Sequence, residues 1–179
     1  TWYHLFVKDV DRCRLAFPSL ELYAGVEARV INYQGEINAT QPCIDSVDFV
    51  IGVVHRYPEG GAIDPATPRP LPMGTARRIE LQASLAVLEN SQVSVMGHAG
   101  AVYGQSFGPL PLSDFDQIIK KAAKKGVAFE INAKYHKLIA KDLLQLCAKH
   151  GVRVTLGSDA HHEEELGGIV RLLQRALGQ

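Results

Sequence analysis

Two hydrophobic periods alternate along this chain. Val93–Gly97 (VSVMG), Val127–Ile131 (VAFEI) and Val152–Leu156 (VRVTL) are short apolar runs bounded by polar residues and glycine, as strands are. Each is followed by a stretch with helical spacing. Ser113 reads as an N-cap with Asp116 at the third helical position, and Phe115, Ile118, Ile119, Ala122 and Ala123 then mark one buried face. Gly126 sits where that helix ends, and Gly151 closes a second helix running from about Ile139 to His150. A last helix is predicted from about Glu163 to Leu177, with Leu166, Ile169, Val170 and Leu173 on one side.

The first 75 residues are less regular. Leu5–Phe17 has a moderate helical pattern, and Leu20–Ile31 is rich in strand-forming residues. Val47–Val54 (VDFVIGVV) is nearly continuous in apolar residues, as expected of a parallel strand covered on both faces. Residues 57–74 are crowded with proline and glycine and read as a loop, one placed to cover a site. Five strands alternating with helices predict an α/β fold with a parallel sheet and right-handed crossovers, either doubly wound or part of a barrel. A complete (β/α)₈ barrel needs roughly 200–250 residues, more than the 179 present, which read as a single domain over 1–179.

Composition narrows the function. Nineteen basic residues balance nineteen acidic ones, which argues against a nucleic-acid binder or a polybasic membrane-surface protein. No apolar run is long enough to cross a membrane. Three cysteines at wide spacing, Cys13, Cys43 and Cys147, form neither a disulfide framework nor a thiolate zinc site, so the expectation is a cytoplasmic protein. The sequence contains no GxSxG elbow, no GxxxxGK[ST] phosphate loop and no GxGxxG after a strand.

The polar residues that matter stand where strands run out: Glu27 after LYAGV, His55 after VDFVIGVV, His98 after VSVMG, Asn132 after VAFEI, and Asp159 with His161 after VRVTLGS. In parallel α/β folds the carboxyl ends of the strands carry the active site. Any one of these residues alone reads more simply as a hydrogen-bonded or exposed side chain; five strands each delivering one or more to the same edge point to a metal site. Imidazole and carboxylate donors without thiolates suit Zn, Mn or Fe in an open hydrolytic site. His4, His136, His150 and His162 lack that placement and are assigned to structure or solvent. Lys120, Lys121, Lys124 and Lys125 read as a solvated helix face, whereas Lys134, Lys137 and Lys141, with Arg56, are candidates to attract an anionic substrate.

The succession GVEA, GVVH, MGHAG, FEIN and LGSDAH, from about Leu20 to the end of the last helix, resembles the PHP family of polymerase and histidinol phosphatase domains. The resemblance implies a distorted (β/α)₇ TIM-like barrel, a site for two or three divalent ions at the strand ends, and phosphoester hydrolysis by a metal-bridging hydroxide. It implies that Glu27 bridges two metals, that His55 and His98 bind the second, that Asp159 is an acid of the first, and that His161 binds the third. Glu130 and Asn132 take supporting roles; Arg56, from its own place directly after His55, is the expected contact for the phosphate. The family's opening His-x-His strand has no counterpart here, so an N-terminally incomplete barrel is expected rather than a degenerate site. The substrate expected is a small phosphorylated molecule such as histidinol phosphate, with no membrane or nucleic-acid partner. The alternatives are an amidohydrolase-type metallohydrolase and a non-catalytic module derived from a PHP domain.

Overall fold

The alternating pattern produces a five-stranded parallel sheet in the order β1-β2-β3-β4-β5. The computed structural model describes residues 1–58 and 71–177, so most of the proline-rich loop expected over 57–74 lies outside the described residues. The strands are β1 (Gly25–Arg29), β2 (Phe49–Val53), β3 (Val95–Met96), β4 (Ala128–Asn132) and β5 (Val154–Gly157). The helices are α1 (Trp2–Ala16), α2 (Gln41–Ile44), α3 (Met73–Val87), α4 (Ala101–Phe107), α5 (Leu112–Lys125), α6 (Ala140–His150) and α7 (Gly168–Leu177), with a 3₁₀ turn at Glu163–Glu165. Each strand adds beside the one before it, with none of the order reversal of a doubly wound sheet. Repeated right-handed crossovers then place the helices on one face, as in a barrel wall. Among the described residues the sheet is not closed, since β1 and β5 do not pair.

Alternation along the strands sorts the side chains. On the helix side, Val26, Ala28, Val50, Met96, Phe129 and Ile131 are buried against Ile79, Ala83 and Val87 of α3, Phe115, Ile118 and Ile119 of α5, and Leu143 of α6. Gly52 allows that approach, because a Cβ there would lie 2.5 Å from Val87 Cγ1 and 2.9 Å from both Val93 methyls. The register sets Glu27 beside Ile51, Ile51 beside Val95, and Glu130 beside Thr155, all on the opposite face.

Several predicted details move. The strand expected over 20–31 shrinks to β1, so Glu27 lies within the strand, whereas His55 and His98 stand two residues beyond theirs. Helix α5 starts at Leu112 with Pro111 before it, not with a Ser113 cap; the fixed φ of proline, −55° here, sets the entry. Asp114 is the first-turn acid and takes a bidentate contact from Arg77, at 2.6 and 2.9 Å. Asp116 instead meets Lys149 and His150 at the end of α6. The predicted last helix is broken by Gly167, at φ +72°, so α7 begins at Gly168 and buries Ile169 and Leu172 while Leu166 and Val170 are exposed. Helix α4 was not expected in its Gly/Pro-rich surroundings. No helix among the described residues is long and apolar enough to cross a membrane.

Two glycine substitutions test this packing. Gly52→Ala is expected to destabilise the fold by about 1–3 kcal/mol through overpacking. Gly74→Ala, in α3 with nothing within 4 Å of its Cβ position, is expected to stabilise it by about 0.5–1 kcal/mol. Urea denaturation of the two variants should move the midpoint in opposite directions.

Candidate metal centre

Three of the five predicted ligands meet in space. Glu27 Oε1 lies 2.9 Å from His55 Nε2, and Glu27 Oε2 lies 3.6 Å from His98 Nε2. The two Nε2 atoms are 3.3 Å apart and their rings are stacked, with centroids 5.1 Å apart. One ligand atom from each of these residues falls within 4.8 Å of the others, a spacing that can hold a metal ion. His98 is buried, while His55 and Glu27 remain open to solvent. The donor set is imidazole and carboxylate, suited to Zn, Mn or Fe.

The strand ends make this convergence, and the loop after β3 is held with unusual completeness. The His98 N–H donates to Glu130 Oε2 at 2.6 Å. The Ala99 carbonyl lies 2.9 Å from His136 Nε2, and the Gly100 N–H donates to Glu80 Oε1 at 3.1 Å. Three consecutive residues are thus each tied to a side chain from a different element: β4, the loop after β4, and α3.

Each of those side chains is itself placed by the sequence around it. Glu130 is on the inner face of β4, packed so closely on β5 that a Cβ on Gly157 would lie 1.7 Å from its Oε1. Asn132 ends β4 and accepts the Lys134 and Tyr135 N–H groups on Oδ1, forming a tight turn. The turn brings His136 back so that its Nδ1 accepts the Asn132 N–H at 3.1 Å. With Nδ1 accepting, Nε2 carries the proton and donates to Ala99. Glu80, fully buried, also accepts the Tyr103 N–H at 3.0 Å and the Tyr57 hydroxyl at 3.1 Å. It therefore links the loop after His55, through Tyr57, to the loop after His98, and seats the first turn of α4.

Charge follows from these contacts. The hydrogen bonds from His55 and then His98 hold the Glu27 carboxyl far below the usual carboxylate range. Burial works to lower the His98 pKa, but the hydrogen bond to Glu27 and the charges of Glu27, Glu130 and Asp159 prevail and raise it. Burial pushes Glu130 upward, against the His98 N–H that favours its charged form. Burial also raises Glu80 to about 7 and lowers His136 to about 4, so His136 stays neutral.

The other predicted residues, Asp159, His161 and Arg56, are not part of that converging group. Asp159 follows β5 with φ +53°, and His98 has φ +24°. Among the described residues these are the two non-glycine positions with positive φ, a strained conformation concentrated at functional sites. His161 is 68% exposed; its Nδ1 lies 2.9 Å from the Asp159 carbonyl and its N–H donates to Glu165. Arg56 is exposed directly after His55. Of the histidines assigned elsewhere, His136 is a buried link in the β4 exit, His150 pairs with Asp116, and His4 and His162 are exposed. Glu80 went unrecognised in the sequence, although an acid between Ala76, Ile79, Ala83 and Val87 on the apolar stripe of α3 was a readable signal.

Comparison with known proteins agrees with this architecture. No family model matches the sequence. A protein named "Probable phosphatase" from Clostridium novyi (strain NT) is 29% identical over 167 residues, covering 89% of this chain and 59% of the relative. One of the same name from Caldicellulosiruptor saccharolyticus is 26% identical over 153 residues, covering 81% of this chain and 55% of the relative. The chain thus spans little more than half the length of these relatives. Among solved structures, histidinol phosphate phosphatase from Lactococcus lactis subsp. lactis Il1403, complexed with zinc, L-histidinol and phosphate, superposes with a TM-score of 0.66 at 22% identity. That likeness covers 94% of this chain and 72% of the other, and shows that the two share a fold.

The buried carboxylates give two expectations. Glu80 titrates higher in the fold, at about 7, than its ordinary 4.5. The folded state therefore holds an extra proton between these values, and that stability is present below about 4.5 and lost as pH rises through 7. In urea titrations of the metal-free chain, wild type should lose about 2–3 kcal/mol relative to Glu80→Gln between pH 5 and pH 8; an equal difference at both values would show that Glu80 is not proton-coupled to folding. Gly157→Ala should cost about 2–4 kcal/mol by pushing Glu130 off the His98 N–H. The same change in a Glu130→Ala background should cost far less, a coupling read from a double-mutant cycle.

Proposed function

We propose that this chain carries much of the active site of a metal-dependent phosphatase that hydrolyses a small phosphate ester. The observation carrying the reading is the convergence of Glu27, His55 and His98 at the carboxyl edge of a parallel sheet, with ligand atoms within 4.8 Å. It is supported by relatives named as phosphatases and by a shared fold with a phosphatase that binds zinc and phosphate.

The residues fit a divalent ion. Two imidazole nitrogens and a carboxylate held ionised face one point, with no thiolate or amine among them. Glu27 offers both oxygens, Oε1 toward His55 and Oε2 toward His98, so it would have a carboxylate oxygen available to an ion held there. Asp159 and His161, from the exit of β5, are the proposed further ligands. When bound, such ions acidify water into the neutral range and neutralise charge developing on a phosphoryl oxygen.

The protein's own part is placement. Glu130, His136 and Glu80 hold the backbone of residues 98–100, so His98 presents Nε2 toward Glu27 without rearranging. Glu27, ionised by its imidazole neighbours, is ready as a ligand without first losing a proton. Arg56 is the proposed contact for the phosphoryl oxygens, its guanidinium matching two of them at once.

The test is metal content and phosphate release measured on the same samples. After dialysis against zinc or manganese and removal of free ion, elemental analysis should find at least about one ion per chain. His98→Ala should lower metal affinity about 10–100-fold or more, and phosphate release should cease in that variant and in chelator. Unchanged metal content in His98→Ala, or phosphate release indifferent to chelator, would overturn the assignment.

A further inference from the structure

A concavity of about 320 Å³ has walls that include Lys134, Lys137, Arg171, Arg175, Ser158 and the proposed ligand Asp159. Its four cations come from two elements. Lys134 and Lys137 belong to the turn after β4, and Arg171 and Arg175 stand one helical turn apart on α7. The first residue of α7, Gly168, lines the same space.

The countercharge is small. The acids on the walls are Asp159 and Glu165, and Glu165 is already engaged by the His161 N–H at 2.7 Å. Arg14, Arg77, Lys121, Lys125 and Lys149 each pair with a carboxylate, but among the described residues none of the four cavity cations does. Lys134 instead rests over the Tyr135 ring, 5.4 Å from its centroid. Like charges around one hollow repel each other, and an oxyanion seated among them relieves that repulsion while accepting their N–H groups.

The cavity adjoins the metal ligands. Tyr135, under Lys134, packs against His98 with ring centroids 5.3 Å apart. Asp159 forms part of the cavity wall and is one of the proposed ligands. Tyr135 and Asp159 thus connect this cavity to the proposed ligands.

We infer that this cavity binds an oxyanion, a phosphate or carboxylate carried by the substrate at a distance from the phosphoryl group that is cleaved. The inference rests on the phosphatase reading for the cleaved end; the oxyanion site itself stands on the cavity alone. It assigns the chain a doubly anionic ester as substrate class. It disfavours a substrate such as histidinol phosphate, whose amino group is cationic and would face four like charges.

Calorimetry on the metal-free chain with inorganic phosphate tests the site without any turnover. Phosphate should bind wild type and His98→Ala alike, and Arg171→Gln and Lys134→Gln, which lie on separate elements, should each weaken binding about 10-fold or more. Equal binding by wild type and both cavity variants shows an adventitious ion only and overturns the site. A second arm uses the zinc-loaded chain with a short diol bisphosphate and the corresponding monophosphate. The bisphosphate should bind about 10-fold tighter, with the advantage lost in Arg171→Gln. No advantage in wild type would overturn the substrate class. Failure of the phosphatase reading alone would leave the metal-free arm intact.

Discussion

Everything at the carboxyl edge of the sheet depends on how the three residues after β3 are held. His98, Ala99 and Gly100 are fixed by Glu130, His136 and Glu80, so the backbone that delivers His98 cannot shift without breaking hydrogen bonds to buried groups. Such bonds are worth more inside a protein than at its surface, because the alternative is an unsatisfied buried polar atom. The positive φ of His98 persists because those contacts over-determine it. Mutual support runs further, since Glu80 also holds Tyr57 next to His55 and Gly157 leaves the space that Glu130 fills.

That scaffold explains why acids here behave so differently from one another. Glu27, partly open to water and facing two imidazoles, is held strongly ionised, while Glu80 and Glu130, enclosed by apolar packing, are pushed upward by burial. One carboxylate is prepared to meet a cation and two are structural acceptors. Environment, not residue type, makes the distinction.

The sheet also sets where further chemistry fits. Because all the strands are parallel, their carboxyl ends lie at one edge, and the exits of β4 and β5 line the basic cavity together with α7. The proposed metal ligands and the proposed oxyanion site are neighbours for the same reason, which is the usual economy of barrel-type α/β folds: a rigid wall with variable loops above it.

Much of this was legible in the chain. Apolar runs with glycine at their ends located four of the five strands closely, and Gly126 and Gly151 marked helix ends because each takes a positive φ there. Glu27, His55 and His98 could be singled out because residue type and position at a strand exit agreed. Other features were out of reach. Pro111, rather than Ser113, sets the start of α5, and α4 forms where its first turn meets Glu80 from another helix. The sequence by itself determined the order and type of elements, because periodicity and turn chemistry are local. Only the tertiary structure decided which polar groups share one space, because that depends on register between strands and on contacts such as Glu80 to Gly100 that span long stretches of chain.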